Sequence, residues 1–208
     1  LLPRIRILSR GPESYANESA SAGNAARNAG FELLIASLIA QAGLPVKSAG
    51  TSDVSTDFGN KRLVVECKRP YSKSSAGRNR DKAMRQLKKR YSGIDGAHTR
   101  GIVALDMSRA LSPDFSVHRY GEMRELHTWL NGVLESLLND YVPRGFQPPH
   151  RKTIAIILRF TAMAVPTKEG GRIAYCQQNV ISSFGSSRLG DMELAERFGD
   201  TLQATRPV

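Results

Sequence analysis

Two carboxylates and a lysine stand close together in residues 57–68, Asp57-Phe58-Gly59-Asn60-Lys61-Arg62-Leu63-Val64-Val65-Glu66-Cys67-Lys68. Leu63, Val64 and Val65 form an apolar, β-branched run, which predicts a strand. Gly59-Asn60 just before it is a tight-turn pair, so Asp57 ends one strand of a hairpin and Glu66 lies in the next. Side chains alternate along a strand. Arg62, Val64, Glu66 and Lys68 therefore share one face, and Leu63, Val65 and Cys67 the other. An apolar strand that ends on a carboxylate and an ammonium is costly to bury without a purpose. With Asp57 returning across the hairpin, Asp57, Glu66 and Lys68 converge. Such a site offers hard oxygen ligands to a divalent cation, with a positive charge beside it. Taken alone, the stretch reads equally well as a surface hairpin with ordinary charges. Asp53 competes with Asp57 for the first ligand position, since both fall on one face of a regular strand. Asp57 is preferred because it lies nearer the turn.

Several elements must position this stretch. A helix is predicted from about residue 20 or 24, with Phe31, Leu34, Ile35, Leu38 and Ala42 at helical spacing. Gly43 followed by Pro45 stops it. Glu32 flanks its apolar stripe. Residues 45–52 read as a strand edge or connection, followed by a strand near 53–58. The small, polar, basic stretch 70–80 reads as a mobile loop able to order on a phosphate backbone. A helix follows over about 81–91. Ala83, Met84, Leu87 and Tyr91 form its inner stripe, Lys82, Arg85, Lys89 and Arg90 lie away from it, and Gln86 lies on its flank. Ile102-Val103-Ala104-Leu105 reads as a buried strand ending at Asp106.

Asp57 followed by Glu66-Cys67-Lys68 resembles the catalytic core of the PD-(D/E)xK nuclease superfamily, the restriction-endonuclease-like fold. That group includes type II restriction enzymes and archaeal Holliday-junction resolvases. The nine-residue separation of Asp57 and Glu66 fits one hairpin. Glu32 and Gln86 stand where many members carry an acidic residue and a glutamine. The resemblance covers about residues 20–107, and Thr56 stands where the motif has proline. It implies an α/β fold with a central mixed sheet in the order α-β-β-β-α-β, flanked by helices. It also implies a deoxyribonuclease that hydrolyses phosphodiester bonds and uses Mg²⁺, with Mn²⁺ able to substitute. Asp57, Glu66, the Cys67 backbone carbonyl and Glu32 would hold the metal. Lys68 would act on the attacking water and Gln86 would help hold the site or the substrate.

Composition bears on the partner. The 208 residues carry 30 Lys and Arg against 19 Asp and Glu, a formal charge of +11, which points to a polyanion. From Lys61 to Arg100 there are thirteen Lys or Arg and three Asp or Glu, so nearly all of the excess flanks the candidate site. Lys61, Arg69, Lys73, Arg78, Arg80, Lys82, Arg85, Lys88 and Lys89 are the expected phosphate contacts. The expected partner is DNA. RNA and self-association into a homodimer stay open, and no membrane partner is expected. Cys67 and Cys176 are the only cysteines, too few for a disulfide framework, which suggests a reducing compartment such as the cytoplasm. Cys67 alternates away from Glu66 and reads as a buried thiol. The four histidines have no zinc spacing.

The chain is long enough for one nuclease-like domain, with its core near 20–107 and an extension over 108–208. A short strand is expected at Ile5 and Ile7, and a loop or lid over 109–120. A helix is expected over 122–141, strands over 153–164 and 172–181, and an exposed segment from 182 to the end. Two rival functions are an inactive nucleic-acid-binding module of the same fold and a basic protein-interaction domain with an accidental motif. An RNA-cleaving nuclease is a third.

Overall fold

The computed structural model describes residues 5, 24–47, 53–91, 94–112, 117–143, 145–168, 172–184 and 188–204. Apart from Ile5, the short strand expected near the start lies outside them.

Helix α1 (Asn24–Gln41) ends where Gly43, at φ +73°, takes a left-handed conformation that glycine adopts without steric cost. Short strand β1 (Val46–Lys47) and β2 (Val54–Phe58) lead into β3 (Lys61–Lys68), all antiparallel. Gly59, at φ +59°, and Asn60 form the two-residue hairpin turn. Helix α2 (Lys73–Arg90) then crosses to β4 (Thr99–Asp106), which pairs parallel with β3. Helix, three strands, helix and strand thus follow one another as the sequence predicts.

The C-terminal half extends the same sheet. Short helix α3 (Ser108–Leu111), strand β5 (Val117–Tyr120) and helix α4 (Met123–Tyr141) precede strands β6 (Thr153–Pro166) and β7 (Ala174–Ser183). One edge of β6 pairs antiparallel with β7, while β4 and β5 pair parallel with it along successive lengths. The result is an open, mixed, seven-stranded sheet. Helix α5 (Leu189–Gln203) completes the chain as described.

Alternation along the central strands builds two cores. Val64, Val103, Leu105, Ile156 and Leu158 face α2 and α4. Leu63, Val65, Cys67, Ile102, Ala104 and Ile157 face α1 and α5. Helices thus cover both sides of the sheet, the α/β arrangement in which central strands read as continuous apolar runs.

Three expectations are corrected. The loop expected over 70–80 is largely helix, because α2 begins at Lys73. The Ser72 N–H donates to Ser75 Oγ at 3.1 Å and Ala76 is fully buried, so a serine cap and packing override a composition that favours loop. Residues 117–120, expected in a lid, form a strand along β6. The segment expected to be exposed contains α5, where Leu194, Ala195, Phe198 and Leu202 pack on the sheet beneath a charged outer face. None of the described helices is long and apolar enough to cross a membrane.

Candidate active site

The hairpin turn sets the register. Once Phe58 faces Lys61, Asp57 faces Arg62 and Val54 faces Val65. Asp53, one residue beyond that last pair, reaches the end of β3. Its Oδ2 accepts the Cys67 N–H at 2.7 Å. Lys68 Nζ lies 3.5 Å from Asp53 Oδ2 and 3.5 Å from Glu66 Oε2, and donates to the Cys67 carbonyl at 2.9 Å. Asp53, Glu66 and Lys68 therefore meet on the α2 side of the sheet, at the C-terminal end of β3.

Asp57 is not brought to them. It shares their face, but sits four residues away along β2, about 13 Å at the usual strand rise. Its carboxylate pairs with Lys47 and, at 3.7 Å, with Arg62. The Lys47 hydrogen bond, helped by the charges of Lys47 and Arg62, holds its pKa below the usual carboxylate range. Asp57 is half-exposed and ties the turn end of the hairpin to β1. The structure therefore brings Asp53, and not the expected Asp57, beside Glu66 and Lys68.

Glu66 is the buried acid of this cluster. Its side chain is 1% exposed. Burial, reinforced by the negative charge of Asp53, pushes its pKa up to about 7, against the pull of Lys68 and Arg90. The Arg90 guanidinium approaches Glu66 Oε1 to 3.5 Å without a hydrogen bond. Glu66 Oε1, Gln86 Oε1 and Arg90 Nε are all buried without a hydrogen-bond partner among the described residues. Gln86 and Arg90 are one turn apart on the same side of α2, so these atoms belong to one neighbourhood. Such atoms each cost about 1–3 kcal/mol unless something satisfies them.

Glu32 lies on α1, across the sheet from Glu66. It is close enough for its charge, after burial and the charge of Asp53, to help raise the pKa of the Cys67 thiol. A buried thiol held in its protonated form is no nucleophile.

A hydrated divalent cation fits this donor set. Among the described residues no group of three or more His, Cys, Asp and Glu side chains is gathered to hold a metal. The protein's carboxylates here are the pair Asp53 and Glu66. One or two carboxylates, with water and substrate phosphate completing the shell, is the usual way Mg²⁺ is bound. A cation would neutralise the carboxylate pair and engage the unsatisfied Glu66 oxygen. The Cys67 carbonyl, already an acceptor for Lys68, keeps a second lone pair for the same purpose.

The expected phosphate contacts fall into two groups. Lys73, Arg78, Lys82, Arg85, Lys88 and Lys89 lie exposed along α2. Arg80 turns inward to hydrogen-bond the Tyr141 carbonyl and Asp81, with its guanidinium 4.5 Å from the Phe146 ring centre. Arg69 is 5% exposed and ion-pairs with Asp106 at 3.2 Å. Lys61 lines a hollow at the turn end of the hairpin with Asp57, Arg62 and His98.

The structure adds residues that sequence reading missed. Arg90 faces Glu66, and its signal was only its place in the last turn of a basic helix. Arg151 and Lys152 extend the basic surface: burial and then the charges of Lys152, Lys88 and Arg151 lower the pKa of His150. No family model, no curated protein and no solved structure matches the chain.

Proposed function

We propose that this chain is a metal-dependent endonuclease of the PD-(D/E)xK kind, hydrolysing phosphodiester bonds in DNA. Asp53 takes the place expected for Asp57. The observation that carries this reading is the meeting of Asp53, Glu66 and Lys68, with the ammonium 3.5 Å from both carboxylates. The order of elements from α1 to β4 supports a restriction-endonuclease-like core.

Asp53 and Glu66 would hold Mg²⁺, which when bound polarises the scissile phosphate and acidifies a water. Lys68 is fixed by the Cys67 carbonyl at 2.9 Å, so its charge is already in place when negative charge develops on the phosphate. Its ammonium also donates a hydrogen bond that orients the attacking water, and its positive charge favours release of that water's proton to solvent. Arg90 keeps Glu66 facing the site, and Gln86 offers its buried oxygen to the same neighbourhood. The exposed lysines and arginines of α2 hold the backbone, which contributes affinity without sequence choice.

The test is a cleavage assay on supercoiled, linear, single-stranded and branched DNA and on RNA, with Mg²⁺ or Mn²⁺ and with EDTA. Metal-dependent cutting of a DNA substrate that EDTA abolishes is expected. Retarded but uncut DNA under all metal conditions contradicts the reading and favours an inactive binding module.

A further inference from the structure

On the other face of the sheet, immediately beyond Lys68, the same strand end opens into a cavity of 440 Å³. That volume falls within the roughly 300–1,000 Å³ typical of small-molecule sites. Three arginines line it, Arg27 from α1, Arg69 following β3 and Arg159 from β6, against one carboxylate, Asp106. Asp106 is engaged by Arg69 and by the Ser108 hydroxyl at 2.6 Å, and guanidiniums outnumber carboxylates among the described lining residues. The remaining wall of the cavity is partly apolar and includes Met163 and Tyr175. Tyr175 is 74% exposed, an aromatic ring that the fold leaves uncovered.

Guanidiniums and an exposed aromatic ring lining a space of this size suit a phosphate and a base together. Guanidinium groups recognise phosphate through planar forks, and an exposed ring stacks bases of any sequence. Lys68 and Arg69 are consecutive, so their Cα atoms are about 3.8 Å apart, with side chains on opposite faces. A nucleic-acid strand lying across the end of β3 would touch both. In α/β sheets this carboxyl end of the strands is where ligands bind.

We propose that the cavity takes a single unpaired nucleotide of the substrate strand, next to the phosphate held at Asp53, Glu66 and Lys68. The substrate would then be a strand end or a nucleotide turned out of a duplex. The cavity's place in cleavage rests on the nuclease reading, but its binding of a nucleotide can be measured separately.

The probe is thymidine 5′-monophosphate, titrated by calorimetry in EDTA against the whole chain. Wild type is expected to bind it saturably, and at least about tenfold more tightly than thymidine. Met163→Trp fills the cavity and should abolish binding, and Tyr175→Ala, at an exposed position, should weaken it about tenfold. Glu66→Gln should bind like wild type, since it alters the other face. No saturable binding by wild type, or unchanged binding by folded Met163→Trp and Tyr175→Ala, overturns the proposal. Cleavage distinguishes the two sources. If the cavity takes strand ends, Tyr175→Ala slows cutting of tailed linear DNA and leaves closed circles unaffected. If it takes a turned-out nucleotide, both slow together. No slowing on either substrate also overturns the proposal. A wild type that binds the monophosphate but cuts no DNA contradicts the nuclease reading and leaves the nucleotide pocket standing.

Discussion

At Glu66 the chain keeps a carboxylate where its own fold disfavours the charge. Because its pKa rises from 4.5 to about 7 on folding, the folded chain holds a proton that the unfolded chain has already released. The stability that this proton gives is fully present below pH 4.5 and is lost as pH rises through about 7. At about 1.4 kcal/mol per pKa unit, the loss is of order 3 kcal/mol. Glu66→Gln is therefore expected to flatten the decline in stability between acid and pH 8, measured by denaturant titration in EDTA. An unchanged decline would assign it to another group. Mg²⁺ competes with the same proton, so it should raise the melting temperature of wild type more at pH 8 than at pH 6, and that of Glu66→Gln at neither. Equal shifts in both proteins would remove Glu66 from the proposed metal site. Glu66 and Lys68 were legible in the sequence from strand alternation. Which aspartate lies beside them was less legible, although the turn sets it. A two-residue turn at Gly59-Asn60 fixes Asp57 opposite Arg62 and brings position 53 level with Glu66. Closeness in sequence to the turn pointed the wrong way, because a site at the far end of a hairpin needs the residue farthest from the turn.

Among the elements, α2 and α5 were the least legible, for opposite reasons. The first turns of α2 are serine-rich and basic, with no apolar stripe to reveal them, and Ser72, Ser75 and the buried Ala76 hold them in place. Starting the helix at Lys73 puts Lys73 and Arg78 on the same rod as Lys82 and Lys88, a longer basic face than a helix over 81–91 provides. Lys88→Glu should weaken DNA binding at all sequences alike, and lower the slope of log affinity against log salt by about one. Filter-binding or anisotropy titrations across a salt series measure this, and a wild-type slope would exclude that turn from the interface. In α5 charged residues are interleaved with the apolar ones, yet Leu194, Ala195, Phe198 and Leu202 all face the sheet. Phe198 is fully buried, with its ring 5.4 Å from Phe58. Phe198→Ala should cost about 3–5 kcal/mol of stability. A loss under 1 kcal/mol would mean that α5 is dispensable to the core.

For the molecule as a whole, the sequence signalled the strands that are apolar along their length and the helices with a clean stripe. β3, β4, β6 and α4 belong here. It signalled poorly what depends on pairing across distance, such as β5 lying along β6, or Arg69, Asp106 and Arg159 meeting at one end of the sheet. Arg159 was visible only as a charge interrupting an apolar run. The sheet then arranges two different surfaces around one strand end, with the carboxylate pair and Lys68 on one face and the arginine-lined cavity on the other. The proposed chemistry depends on which aspartate works with Glu66 and Lys68. Single-turnover cleavage of DNA in Mg²⁺ should be compared for wild type, Asp53→Asn, Asp57→Asn and Lys68→Ala, with metal-dependent DNA binding followed in parallel. Asp53→Asn is expected to abolish cutting and to weaken the dependence of binding on Mg²⁺. Lys68→Ala should lose about a hundred- to ten-thousand-fold in rate and keep that dependence. Asp57→Asn should cut at close to the wild-type rate. Full activity in Asp53→Asn with loss in Asp57→Asn would contradict the site described, and undiminished cutting by Lys68→Ala would remove the lysine from the chemistry.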